Sequence, residues 1–268
     1  MDDLHQYLVE EELDSYRDGW ISRREFLKRA TLFGATASVA AAMASAVVPV
    51  PRVHAAPAAQ RSPFSVPADD PAVVTDWVSY PSNDGVLISG YLAWPAGSGV
   101  GPPTRELSAR NAWTAAYRSL DSTQNALDFA AGVEFLMANP TVDGSKLAAT
   151  GYCLGGSIIW RLTTLSPYVR AAAPFYGSDP PLADVPNIRA AVLGVYAGLD
   201  DRVNASIPRL EPALQAAGVT YRINIYPGAD HGFHADTDSD YHPQAATQAW
   251  MDTLNWFAQY LDLPAPTF

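Results

Sequence analysis

The 268 residues include one cysteine, which stands in the string Gly151-Tyr152-Cys153-Leu154-Gly155-Gly156. A short strand is predicted over 147–150 and a helix follows to about residue 164. Cys153 is therefore expected on a sharp strand-to-helix turn, pointing away from the sheet. The glycines two residues to either side relieve crowding there. The helix N-terminus stabilises negative charge that develops beside it. A thiol at such a turn does the work usually given to a serine hydroxyl, and is the better nucleophile. The competing reading is a buried structural cysteine, because free cysteine is among the most buried residue types.

Two further strings that could complete such a site follow downstream. Gly198-Leu199-Asp200-Asp201-Arg202 comes after a predicted strand over 190–197. Pro227-Gly228-Ala229-Asp230-His231-Gly232-Phe233 comes after one over 221–226. Nucleophile, acid and histidine, each just past the C-terminal end of a strand, follow the chain order of the α/β-hydrolase triad. Catalytic groups of parallel sheets collect at that edge. His231 would take the thiol proton, and Asp200 would fix the imidazole's tautomer and orientation. Asp201 competes for the acid role and His234 for the base. The oxyanion of the tetrahedral intermediate would be met by the Leu154 N–H. Tyr152 and Phe233 are weaker candidates for the pocket wall, and Arg202 and Asn204 are expected to hold the acid loop. Trp94, Trp113, Trp160, Trp250 and Trp256 read as core or pocket wall rather than a carbohydrate platform.

The elements that must position these groups alternate. Residues 72–80 and 86–94 are apolar, β-branched runs around Pro81-Ser82-Asn83-Asp84-Gly85, which predicts an antiparallel hairpin. A helical period runs over 122–137. Residues 169–175 and 190–197 are continuous apolar runs, as expected of strands buried on both faces. Helices are predicted over 207–217 and 245–261. Strand–helix alternation implies an α/β fold with a mostly parallel central sheet, helices on both faces and an N-terminal antiparallel hairpin.

Composition narrows the function. The apolar fraction of 48% excludes wholesale disorder, and a single cysteine excludes an internal disulfide or a cysteine zinc cluster. Seventeen basic against 28 acidic residues argue against nucleic acid or an anionic membrane as the partner. Ser22-Arg23-Arg24-Glu25-Phe26-Leu27-Lys28 precedes a weakly apolar, Ala-rich run and then Val53-His54-Ala55, the layout of a cleaved export signal. The basic string resembles a twin-arginine signal, which a receptor reads and which exports folded proteins. Residues 1–55 are thus expected to be the signal, 56–71 a Pro/Ala-rich linker, and 72–268 the folded domain. An uncleaved leader serving as membrane anchor is the alternative, and no cysteine lies near the cut for lipid attachment. Cutting after Ala55 leaves 213 residues. Taking the leader's eight acidic and six basic residues from the totals leaves 20 and 11, a charge of −9. The expected location is periplasmic or extracellular.

Gly151-Tyr152-Cys153-Leu154-Gly155-Gly156, Asp200-x-Arg202-Val203-Asn204 and Gly228-Ala229-x-His231-Gly232-Phe233, with Ala173-x-Phe175-Tyr176-Gly177, resemble the dienelactone hydrolase family. The resemblance covers most of 72–261. It implies an α/β-hydrolase cleaving small lactones or esters without metal or organic cofactor, with Cys153 as nucleophile, Asp200 as acid and His231 as base. It also implies a thiol held neutral until substrate binds, with a nearby glutamate taking part.

The chain departs from that pattern in two places. Between the hairpin and the helix at 122 the fold has a strand–helix–strand block, which needs roughly 40 residues. Only Pro95 to Asp121 is available, 27 residues with no β-branched run, so the block is expected to be absent or much shortened. The loop carrying the second oxyanion donor and the family's glutamate would go with it. Glu106 is the one nearby acid of that type, and it reads more simply as a solvated carboxylate. Four residues after His231, where the best-known lactone hydrolases carry an arginine for a substrate carboxylate, stands Ala235. An uncharged ester is then as plausible a substrate as an anionic lactone. The rival reading is a truncated, catalytically silent relative, a binding protein or a decaying gene product.

Overall fold

The computed structural model describes residues 9, 12–13, 16, 23–32, 35–46, 62–63, 70–96, 122–236 and 240–267. The chain divides into two compact units, one of residues 1–58 with 113–120, the other of 59–112 with 121–268. Glu106, Trp113, Val53-His54-Ala55 and the whole segment 97–121 lie outside the described residues.

In the first unit, helices α1 (Arg23–Leu32) and α2 (Ala37–Ala46) are ten residues each. Phe26 is fully buried and stacks on Tyr16 with ring centroids 5.6 Å apart. Arg29 pairs with Glu12 at 3.1 Å. A ten-residue helix spans about 15 Å, half a bilayer core of about 30 Å. Among the described residues no helix is long and apolar enough to cross a membrane.

Among the described residues the second unit holds two sheets. Strands β1 (Val73–Pro81) and β2 (Leu87–Pro95) form the expected antiparallel hairpin, in register from Val73 opposite Pro95 to Pro81 opposite Leu87. Gly85, at φ 82, supplies the left-handed turn residue between them. Four parallel strands make the second sheet in sequence order: β3 (Ala148–Tyr152), β4 (Ala171–Phe175), β5 (Ala191–Ala197) and β6 (Tyr221–Tyr226). Helix α3 (Ser122–Ala138) precedes β3, and α4 (Leu154–Leu165) follows it. A 3-10 turn, Leu182–Asn187, lies between β4 and β5. The short α5 (Asp201–Asn204) and α6 (Ile207–Ala216) separate β5 from β6, and α7 (Pro243–Tyr260) closes the domain.

β4 and β5 are buried along their whole length, as their continuous apolar runs require. Alternate residues feed two cores. Ala171, Ala173 and Phe175, with Leu193 and Val195, meet Ala246, Ala249 and Trp256 of α7. Ala172 and Val192 turn to the other face, against Trp160 and Leu162 of α4 and Leu210 and Leu214 of α6. Trp256 also donates its indole N–H to the Ala191 carbonyl at 3.1 Å.

The two sheets do not join among the described residues: β3 ends the parallel sheet, and no described strand pairs with its outer edge. The hairpin is instead anchored on α3. Tyr80 stacks on Phe135 at 5.4 Å, Ser82 Oγ donates to Asp128 at 2.5 Å, and Gln124 donates to the same carboxylate at 2.9 Å. A Cβ at Gly132 would stand 2.7 Å from the Tyr80 hydroxyl, so the absence of a side chain there lets the hairpin seat.

Candidate active site

Cys153 occupies the junction of β3 and α4 with φ 56 and ψ −122, a backbone that L-residues rarely adopt. Its N–H donates to the Phe175 carbonyl at 3.1 Å, tying the turn to the neighbouring strand. A Cβ on Gly151 would collide with the Gly155 carbonyl, and one on Gly156 with the Phe175 carbonyl. A Cβ on Gly155 would meet nothing within 4 Å. The crowding-relieving glycines are therefore Gly151 and Gly156, not the symmetric pair Gly151 and Gly155. Leu154 is the first residue of α4, so its N–H belongs to the first turn, where intrahelical acceptors are lacking. The thiol is partly buried against the core that contains Phe175, Tyr176 and Phe233.

Asp200 caps α5, accepting the Val203 N–H at 3.1 Å, and its side chain is only 4% exposed. Asn204 Nδ2 donates to the Ala197 carbonyl at 2.7 Å, which pins the acid loop to the end of β5 as expected. The other Asp200 oxygen lies 2.6 Å from Nδ1 of His231. Burial pushes this carboxyl up, but bonds from His231 and Val203 and the nearby Arg202 charge hold it below the ordinary carboxylate range. An ionised carboxylate only accepts, so Nδ1 donates to Asp200 and Nε2 is left as the ring nitrogen that could take a proton. Asp201 is exposed, and Asp200 holds the place beside the imidazole.

His231 sits in the loop after β6, its N–H donating to Asp230 at 2.7 Å, with glycines at positive φ on either side at Gly228 and Gly232. The His234 ring lies 5.1 Å from those of Tyr152 and Phe175 and 5.8 Å from Trp250. Burial pushes its imidazole below the usual histidine range, with Asp236 opposing. Tyr152, 37% exposed and next to Cys153 in the chain, fits a pocket wall. Phe233 does not: it is fully buried between Tyr176 and Tyr226 and supports the site from behind. Sequence reasoning passed over Tyr176, whose ring meets His231 edge-on at 4.8 Å. Its place in the Phe175-Tyr176-Gly177 string was the available signal. Among the described residues no group of three or more His, Cys, Asp or Glu side chains could hold a metal.

A parallel sheet with helices on both faces, a strained strand-to-helix turn at Cys153 and an Asp–His pair at the C-terminal strand edge define an α/β-hydrolase fold. Residues 97–261, more than half of the chain, match the dienelactone hydrolase family. The chain belongs to that family. A "putative carboxymethylenebutenolidase" of Methylorubrum extorquens is 34% identical over 144 residues, 50% of each chain. The chain thus spans about half the length of the curated relatives it matches. The crystal structure of a "putative dienelactone hydrolase" from Klebsiella pneumoniae superposes with a TM-score of 0.59 at 24% identity, covering 70% of this chain and all of that one. A dienelactone hydrolase-like promiscuous phosphotriesterase from metagenomic libraries gives 0.57 at 19%, over 70% and 99%. At these identities the two structures speak for the fold alone.

Proposed function

We propose that this protein is an exported hydrolase that cleaves an uncharged lactone or small carboxylic ester through an acyl-thiol intermediate. The observation that carries the reading is the 2.6 Å contact between His231 Nδ1 and Asp200, at the same C-terminal sheet edge as a cysteine held at φ 56. His231 Nε2 takes the proton of Cys153 as Sγ adds to the substrate carbonyl carbon. The Leu154 N–H faces the oxyanion so formed. Collapse breaks the C–O bond, and the leaving alkoxide takes the proton from His231. In a lactone that alkoxide stays tethered to the acyl group. A water then gives a proton to His231 and adds to the thioester carbon; the C–S bond breaks, the leaving sulfur takes the proton back from His231, and the acid is released. No cofactor is called for. Ala235, in place of a carboxylate-binding arginine, supports an uncharged substrate.

The test is hydrolysis of a chromogenic acetate ester by the full chain and by Cys153→Ala. Turnover that disappears with the thiol supports the reading, and equal rates overturn it. The second reading, a catalytically silent relative, draws on the outer edge of β3, which no described strand covers, and on the 27 residues available for the missing block. It requires no turnover by either protein, together with a cooperative melt. The Ser22-Arg23-Arg24 leader supports export by the twin-arginine route. Replacing both arginines with lysine should leave the protein inside the cell, and undiminished export would overturn that part.

A further inference from the structure

Three non-glycine residues among those described have positive φ: Cys153 at 56°, Asp262 at 50° and Tyr176 at 35°. The first is accounted for by the nucleophile turn, and aspartate is among the residues that tolerate this region by local hydrogen bonding. A tyrosine has no such compensation, so its conformation must be imposed by its surroundings. They are visible. The Tyr176 N–H donates to the Val195 carbonyl at 2.7 Å, extending the β4–β5 ladder one residue past β4. The next residue, Gly177, passes so close to the start of α4 that any Cβ would collide with the Gly156 backbone. Ser178 is then tied to Ser157 Oγ at 2.9 Å. The chain cannot move outward, and the turn drives the Tyr176 side chain inward.

Its ring, 3% exposed, stands edge-on to His231 at 4.8 Å and 60°. It also packs on Phe233, two residues beyond His231, at 5.5 Å and on Phe175 at 6.1 Å. Asp200 holds only one atom of the imidazole. One hydrogen bond fixes a distance and does not by itself set the tilt of the ring. A rigid aromatic edge-on to the ring constrains that tilt, and its contact with Phe233 braces the loop on the far side of Gly232.

We infer that Tyr176 is a positioning residue, whose strained backbone locks the His231 imidazole in the orientation that keeps Nδ1 on Asp200. The inference rests on the Cys-His-Asp reading above, and its test separates the two. In the full chain, the Nδ1 proton shared with Asp200 should give a far-downfield NMR signal, and the imidazole should be as rigid as the surrounding backbone. Tyr176→Leu should broaden or abolish that signal. It should also lower kcat about tenfold with KM within about twofold, and displace the acidic limb of the kcat/KM profile, since small misplacements of a catalytic group cost rate steeply. Tyr176→Phe, which keeps the ring, should retain the signal and the profile.

A folded Tyr176→Leu with unchanged signal and profile overturns the inference. Tyr176→Phe falling as far as Tyr176→Leu also overturns it, because the hydroxyl would then be responsible. Should Tyr176→Leu not fold, a His231 ring that is mobile in the wild-type protein overturns it, and a rigid one upholds it. The proton signal does not require Cys153 to be the nucleophile. An active Cys153→Ala therefore sinks the catalytic reading while leaving the positioning result standing.

Discussion

Asp200 Oδ2 and His231 Nδ1 meet at 2.6 Å across 31 residues of sequence, with the carboxylate 4% exposed and also accepting the Val203 N–H. The carboxylate has one geometry available, because capping α5 fixes one oxygen and the imidazole takes the other. Asp200→Asn would keep the shape but lets the amide donate to Nδ1, which selects the wrong tautomer. Activity is expected to fall by about 10³–10⁴-fold, with the fold intact. Asp201→Asn should leave it within about twofold, because that neighbour is exposed and Asp200 holds the imidazole. Steady-state hydrolysis by the two variants, alongside their circular dichroism, checks both.

The glycines around Cys153 should separate sharply. Gly156→Ala puts a methyl group onto the Phe175 carbonyl, a backbone atom that cannot rotate away. A loss of about 2–3 kcal/mol is expected, with activity falling as the turn shifts. Gly155→Ala meets open space at a helical position, and should be neutral or raise stability by up to about 1 kcal/mol. Thermal or urea melts of the pair decide this, and equal losses would contradict the assigned packing.

Much of this was legible in the order of residues, and the reasons are local. Strand β6 was expected over 221–226 and occupies Tyr221–Tyr226, because its boundaries are marked by Gly218 before it and Pro227-Gly228 after. The unbroken apolar runs of β4 and β5 announced strands covered on both faces. What was not legible depends on chain segments far apart in sequence. Gly156 matters because β4 passes beneath it, which no spacing rule reveals. Phe233 looked like a pocket residue beside the histidine, and is buried because Tyr176 and Tyr226 close over it. The hairpin itself follows from local alternation, but that it pairs with no strand of the parallel sheet among the described residues depends on the partners available to β3. Local alternation carries no such information.

His234 gives the stability of the domain a pH dependence. Burial among Tyr152, Phe175 and Trp250 pushes its pKa below the usual 6.5, although Asp236 opposes. The unfolded chain therefore binds the extra proton more readily, and stability rises with pH through this region. It is lost as pH falls from about 6.5 toward the depressed folded value. Asp200, whose folded value is lowered, loses its own contribution only below the ordinary carboxylate range, so the two windows separate. His234→Phe keeps an aromatic in the cluster and should flatten the dependence of melting temperature between about pH 5 and 7. An unchanged slope would assign it to other groups.

The hairpin should be separable from the parallel sheet. It holds to α3 through Tyr80 on Phe135 and through Ser82 and Gln124 on Asp128, while its other face leaves Trp77 and Tyr91 more than half exposed. Phe135 is only half-buried, so Phe135→Ala is expected to cost about 2 kcal/mol, less than truncating a core aromatic. Because the hairpin shares no ladder with β3–β6 among the described residues, the loss should be local. Hydrogen exchange should accelerate across Val73–Pro81 and Leu87–Pro95 while the amides of β4 and β5 keep their protection. Equal acceleration in both sheets would mean that hairpin and parallel sheet unfold as one cooperative unit, despite their separate ladders.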